Sequence, residues 1–93
     1  MIGILITGHG TFASGIAAAV EVILGKQENF VTVDFPEGDT KTELERNVQD
    51  GLSRLSDCGH IIVFCDLLSG SPFNTVVPYA IKNDKIKVFF GTN

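Results

Sequence analysis

Four short apolar runs, separated by three helix-length segments, constrain this chain more than any other feature. Met1-Ile2-Gly3-Ile4-Leu5-Ile6, Phe30-Val31-Thr32-Val33-Asp34-Phe35, His60-Ile61-Ile62-Val63-Phe64-Cys65-Asp66 and Ile86-Lys87-Val88-Phe89-Phe90 have the length and the β-branched or aromatic content of strands. After the first, Ala13, Ile16, Ala17, Val20, Ile23 and Leu24 recur at three- and four-residue intervals, which predicts a helix with one buried face that stops at Gly25. Pro36 ends the second run. Thr40 and Glu43 have the spacing of a capping box, and Leu44, Val48, Leu52 and Leu55 make an apolar stripe with Glu45, Arg46, Gln49 and Asp50 turned to water. The third run is continuously apolar and predicts a central strand buried on both faces. Ser71 as cap and Pro72 at the first helical position open a third helix, which Pro78 should bend or shorten and which reaches no further than about Lys82.

Strand alternating with helix in this way implies right-handed parallel crossovers and hence an α/β doubly wound parallel sheet with helices on both faces. The common small solution has strand order 2-1-3-4. Strand order then reverses between the first and third strands, and the loops leaving those strands line a crevice where ligands gather. Those loops carry His9 and Asp66.

Composition limits what such a sheet could do. Ninety-three residues, 44% of them apolar, fit a single globular domain spanning residues 1–93. With only seven Lys plus Arg and a net charge of −4, the chain lacks the concentrated positive charge of a nucleic-acid footprint. No apolar run approaches the roughly twenty residues of a membrane span, and no secretory leader is recognisable, so a cytoplasmic location is expected. Cys58 and Cys65 fit no disulfide framework. With His60 they would project at incompatible points, so no metal site is expected.

The chemistry concentrates at Thr7-Gly8-His9-Gly10. Glycines on either side of His9 permit unusual backbone angles and leave the imidazole uncovered. A turn histidine in a sharp corner explains those four residues equally well. Asp66, however, ends an apolar strand, where a carboxylate needs a partner, and the topology offers His9. A carboxylate accepting from one ring nitrogen fixes the tautomer and leaves the other nitrogen as a nucleophile. Gly70, the hydroxyls of Ser69 and Ser71 and the donor end of the third helix would supply an anion cradle. That set suits phosphoryl transfer. Taken singly, Asp66 serves as well as a turn cap, Ser71-Pro72 as an ordinary helix start, and Phe35, Phe64, Phe73, Phe89 and Phe90 as core. Neither a P-loop nor a dinucleotide fingerprint is present.

Ile-Leu-Ile-Thr-Gly-His-Gly at the N-terminus, Gly25-Lys26-Gln27-Glu28-Asn29, Val33-Asp34-Phe35, the Asp66 strand end and Ser-Gly-Ser-Pro-Phe-Asn at 69–74 resemble the IIA component of the mannose family of the bacterial sugar phosphotransferase system. The resemblance implies that His9 accepts a phosphoryl group from the histidine-containing phosphocarrier protein and passes it to a IIB component, with the membrane IIC and IID components served indirectly. It implies that Asp66 partners the histidine and that Ser71 lies beside the phosphoryl group; Ser69, Gly70 and Phe73 complete the set of residues expected to bind that group. It further implies a homodimer and no metal, nucleotide or other cofactor. Two departures stand out: Ser69 replaces the first of two family glycines, and Pro78 interrupts the third helix. The family usually continues with a further helix and an exchanged strand, so a truncated form is expected, with the last strand an open edge relieved only by Lys85 and Lys87.

Three other functions fit parts of the pattern. A IIA-like phosphoryl carrier of a dihydroxyacetone kinase system would share the architecture and the loop histidine. A hydrolase would use Ser71 or Ser14 with His9 and Asp66, although neither serine lies in a nucleophile elbow. A noncatalytic module would sense phosphorylation through its partners.

Overall fold

The computed structural model describes residues 1–67 and 70–91. The expected contribution of Ser69 therefore lies outside the described residues. Seven elements follow one another as β1 (Ile2–His9), α1 (Phe12–Leu24), β2 (Phe30–Phe35), α2 (Lys41–Arg54), β3 (His60–Cys65), α3 (Ser71–Lys82) and β4 (Ile86–Phe89). The strands form one parallel sheet in the order β2-β1-β3-β4, so the topology deduced from the sequence is the one observed.

The two faces are filled unequally. On one side α2 and α3 cover the sheet and touch each other. Leu5, Val31, Val33, Ile61, Val63, Cys65 and Ile86 meet Leu44, Val48, Leu52, Leu55 and Val76 there, all buried. Burying each such aliphatic side chain contributes about 1.5–3 kcal/mol, so this layer holds most of the stabilising area. The stripe on α2 is as the sequence predicts, and its capping box is complete, with Thr40 accepting from the Glu43 amide and Glu43 from the Thr40 amide. Gly51 belongs to this packing: a Cβ there would lie 2.8 Å from Leu5 and 3.1 Å from Val31. Cys58 and Cys65 are both buried as small apolar residues.

The other face carries α1, packed on β1 and β2, and two expectations fail here. Ala13 is buried and Ile16, Ala17 and Val20 are half-buried, but Ile23 and Leu24 are 78% and 68% exposed. The last turn of α1 has an apolar stripe without a surface to receive it. Nor is β3 buried on both faces. Ile61, Val63 and Cys65 are buried towards α2 and α3, whereas Ile62 and Phe64 on the α1 side are only half-buried, because α1 lies over β1 and β2 instead.

Two boundaries also shift. β1 runs on through His9, since Gly8 and His9 still pair with Asp34 and Phe35 of β2. The N-cap of α3 is Gly70 rather than Ser71, because the Asn74 amide donates to the Gly70 carbonyl (2.9 Å). Pro72 is then at the second helical position, still within the first turn, where no intrahelical bond is lost. Pro78 lies inside α3 without ending it.

Candidate functional site

At the carboxyl ends of β1 and β3, the two strands whose loops border the order reversal, His9 and Asp66 meet. The His9 main-chain amide donates to Asp66 Oδ2 at 2.9 Å, and His9 Nδ1 lies 3.0 Å from the same oxygen. The Leu67 amide donates to Asp66 Oδ1 at 2.9 Å. Asp66 is only 4% exposed, while the His9 side chain is 44% exposed. One partner is thus fixed and dry and the other open to an incoming group.

Electrostatics set the state of this pair. Burial pushes the Asp66 carboxyl up, but the His9 amide, the His9 side-chain hydrogen bond, the attraction of the His9 charge and the Leu67 amide together outweigh it, so the pKa falls below the ordinary value. An ionised carboxylate only accepts hydrogen bonds, so Nδ1 must carry the proton. In the neutral imidazole the lone pair then resides on Nε2. The neighbouring Cys65 thiol is pushed up to about 12, first by burial and then by the Asp66 charge, which leaves it unreactive.

Three glycines make room, each for a different reason. At Gly8 the reason is space: a Cβ would come 2.6 Å from the Phe12 ring and 2.9 Å from Asp66 Cγ. At Gly10 it is conformation, with φ at +59° and nothing near a Cβ. Gly70 combines both, with φ at +101° and a Cβ position 2.9 Å from His9 Cε1 and 3.1 Å from Nε2. Any side chain there would cover the nitrogen that has to stay open.

Gly70 also brings the donor end of α3 against His9. Pro72 has no N–H, and the Asn74 amide is used by Gly70, which leaves the main-chain amides of Ser71 and Phe73 as the first-turn donors. The Phe73 ring packs on the core and meets Phe90 edge-on at 5.8 Å, so any part Phe73 plays at the site belongs to its amide. Half-buried Ser71 follows Gly70 at the mouth of a cleft shared with Lys41, Glu45, Asn74 and Thr75. Ser14 stands elsewhere, its hydroxyl donating to the Thr11 carbonyl at 3.3 Å. Neither serine is hydrogen-bonded to His9 among the described residues, so the Ser-His-Asp arrangement of a hydrolase is not formed. Likewise, no group of three or more metal-ligating side chains occurs among the described residues, and no described helix is long and apolar enough to cross a membrane.

The sequence reading missed how β2 grips the loop. The Gly10 amide donates to the Phe35 carbonyl (2.8 Å) and the Phe35 amide to the Gly10 carbonyl (3.2 Å), an antiparallel bridge within an otherwise parallel sheet. Asp34 Oδ1 accepts from the Ser14 amide at 2.9 Å in the first turn of α1. The opening of α1 itself has no acid in its first turn and no side-chain cap from Thr11.

Known proteins share both the chain's pattern and its fold. A family model described as PTS system fructose IIA component matches residues 3–93. The PTS system fructose-specific EIIA component of Bacillus subtilis (strain 168) is 23% identical over 93 residues, and the chain spans 64% of its length. The PTS system mannose-specific EIIAB component of Escherichia coli (strain K12) is 29% identical over 92 residues, with 28% of its length spanned. Among solved structures, phosphotransferase system component EIIA from Streptococcus agalactiae superposes with a TM-score of 0.86 at 35% identity, covering 100% of this chain and 71% of that one. The PTS IIA protein associated with the fucose utilization operon of Streptococcus pneumoniae gives 0.90 at 30% identity, covering 99% and 70%. On a match that runs from the third residue to the last, the chain belongs to the mannose family of phosphotransferase-system IIA components.

Proposed function

We propose that this protein relays a phosphoryl group in sugar uptake through a phosphohistidine at His9. Nε2 attacks the phosphorus of a phosphohistidine on the phosphocarrier protein, the bond to the carrier's nitrogen breaks, and a IIB component later takes the group by the same displacement in reverse. One observation carries this reading: a half-exposed imidazole whose Nδ1 is held at 3.0 Å by a buried, ionised carboxylate, with Nε2 facing a side-chain-free glycine at a helix donor end. Asp66 orients the ring and offsets the positive charge that the imidazole gains on forming the N–P bond. The amides of Ser71 and Phe73 and the Ser71 hydroxyl hold the phosphoryl oxygens, with Gly70 and Ser69 contributing to the same binding set. No metal or nucleotide takes part in this scheme.

Residues 1–93 act as a single phosphoryl-carrier unit in this reading, placed in the cytoplasm with the carrier and the IIB component as partners. The IIC and IID membrane components are reached only through IIB, and the relay unit works as a homodimer. Incubation with the phosphorylated carrier is expected to label the protein at His9 and to leave His9→Ala unlabelled. Equal labelling of His9→Ala would overturn the assignment. Onward transfer to a IIB component, rather than to a dihydroxyacetone kinase, distinguishes the two relay systems.

A further inference from the structure

We infer that Asp34 is a positioning residue for His9, acting as a cap lent by β2 to α1. The inference rests on the phosphoryl-relay reading. α1 begins three residues after His9, and its orientation fixes the path of the Gly10-Thr11 link. Yet its own sequence does little to fasten that end: Thr11 makes no side-chain cap bond and the first turn has no acid. A helix start of that kind leaves its first-turn amides unsatisfied and its positive end uncompensated. Asp34 answers this from β2: its Oδ1 accepts from one of those amides, that of Ser14, at 2.9 Å, and so sets a carboxylate at the positive end.

The same short segment holds the His9 loop a second time. Phe35, the neighbour of Asp34, exchanges two main-chain hydrogen bonds with Gly10 at 2.8 and 3.2 Å. His9 is thus fastened on the β3 side by Asp66 and on the β2 side by a clasp at residues 34–35. In register, Asp34 sits opposite Gly8 and Phe35 opposite His9, so a shift of either strand end moves the histidine. Asp34 touches neither the imidazole nor an incoming phosphoryl group. Its effect is to keep Gly10, at φ +59°, and the first turn of α1 in the one arrangement that aims Nε2 outward.

The test compares two losses of a helix cap. Asp34→Ala removes the cap of α1, and Thr40→Ala removes the side-chain cap of α2, which begins at Lys41 and is capped by its own Thr40 and Glu43. With saturating phosphorylated carrier, Asp34→Ala is expected to accept phosphoryl about tenfold more slowly than the parent, because a small displacement of a reacting group is costly. The half-saturating carrier concentration should stay within about twofold, and exchange of the Gly10 amide should speed up. Asp34→Asn, which keeps an acceptor oxygen, should recover most of the rate, and Thr40→Ala should transfer like the parent. Asp34→Glu keeps the charge but displaces the carboxylate by one methylene, and it is expected to be slow as well. It serves as the probe should Asp34→Ala not fold. Parent-like transfer by Asp34→Ala or Asp34→Glu, or equal slowing in Thr40→Ala, would overturn the inference. A parent protein that is never labelled would defeat the relay reading instead.

Discussion

At the scale of single residues, the site depends on a carboxylate kept ionised under a strand end. Asp66→Asn preserves the shape but can point an N–H at His9, so the preferred tautomer is no longer enforced. Transfer is expected to slow by about two orders of magnitude while the circular dichroism stays native. Stopped-flow transfer rates check this, and near-parental kinetics would reduce Asp66 to a turn residue. The lowered pKa of Asp66 also has a signed consequence for stability. Between its folded pKa and the ordinary carboxylate value of about 3.9, the unfolded chain binds more protons, so stability rises with pH. Its contribution is complete above that window and is lost as pH falls through the folded pKa. Urea titrations at several pH values should show the parent's advantage over Asp66→Asn shrinking below about pH 4. A gap that stays constant into strong acid would contradict the pairing. That His9 and Asp66 meet was legible in the sequence, because the common strand order of an alternating strand–helix chain brings their two loops together. The differing reasons for Gly8, Gly10 and Gly70 were not, since space and φ are properties of coordinates and all three residues look alike in a sequence.

At the scale of elements, α1 and α2 show what an apolar stripe reveals and what it leaves open. Both have the spacing of a half-buried helix, yet only α2 finds a complete surface to bury it on. Leu44→Ala, fully buried on α2, is expected to cost about 2–5 kcal/mol. Leu24→Ala, 68% exposed on α1, should cost less than about 0.5 kcal/mol. Chemical denaturation measures both, and similar losses would mean that the end of α1 is buried after all. Periodicity reports which residues favour burial; whether a partner surface exists is decided elsewhere in the chain. The cap on α2 was readable for the opposite reason, because Thr40 and Glu43 are three residues apart. The cap on α1 comes from Asp34, twenty positions from the amide it serves, and leaves no local pattern.

On the scale of the whole molecule, the order β2-β1-β3-β4 does two things at once. It sets the two loops of the site side by side, and it sends α2 and α3 to one face and α1 to the other. Ile62, Phe64 and the 52% exposed Phe89 stay less covered than their counterparts on the α2 side, with the Phe64 and Phe89 rings stacked at 5.8 Å. The site itself depends on the well-packed side, since Gly70, the start of α3 and the imidazole all stand there. The central claim is that this architecture leaves one particular nitrogen free. Nitrogen-15 NMR of the phosphorylated protein, labelled at histidine, identifies the atom directly. The expected result is phosphorus on Nε2 of His9 with a proton retained on Nδ1. Phosphorus on Nδ1, or a phosphohistidine at His60, would contradict the geometry from which the function is argued.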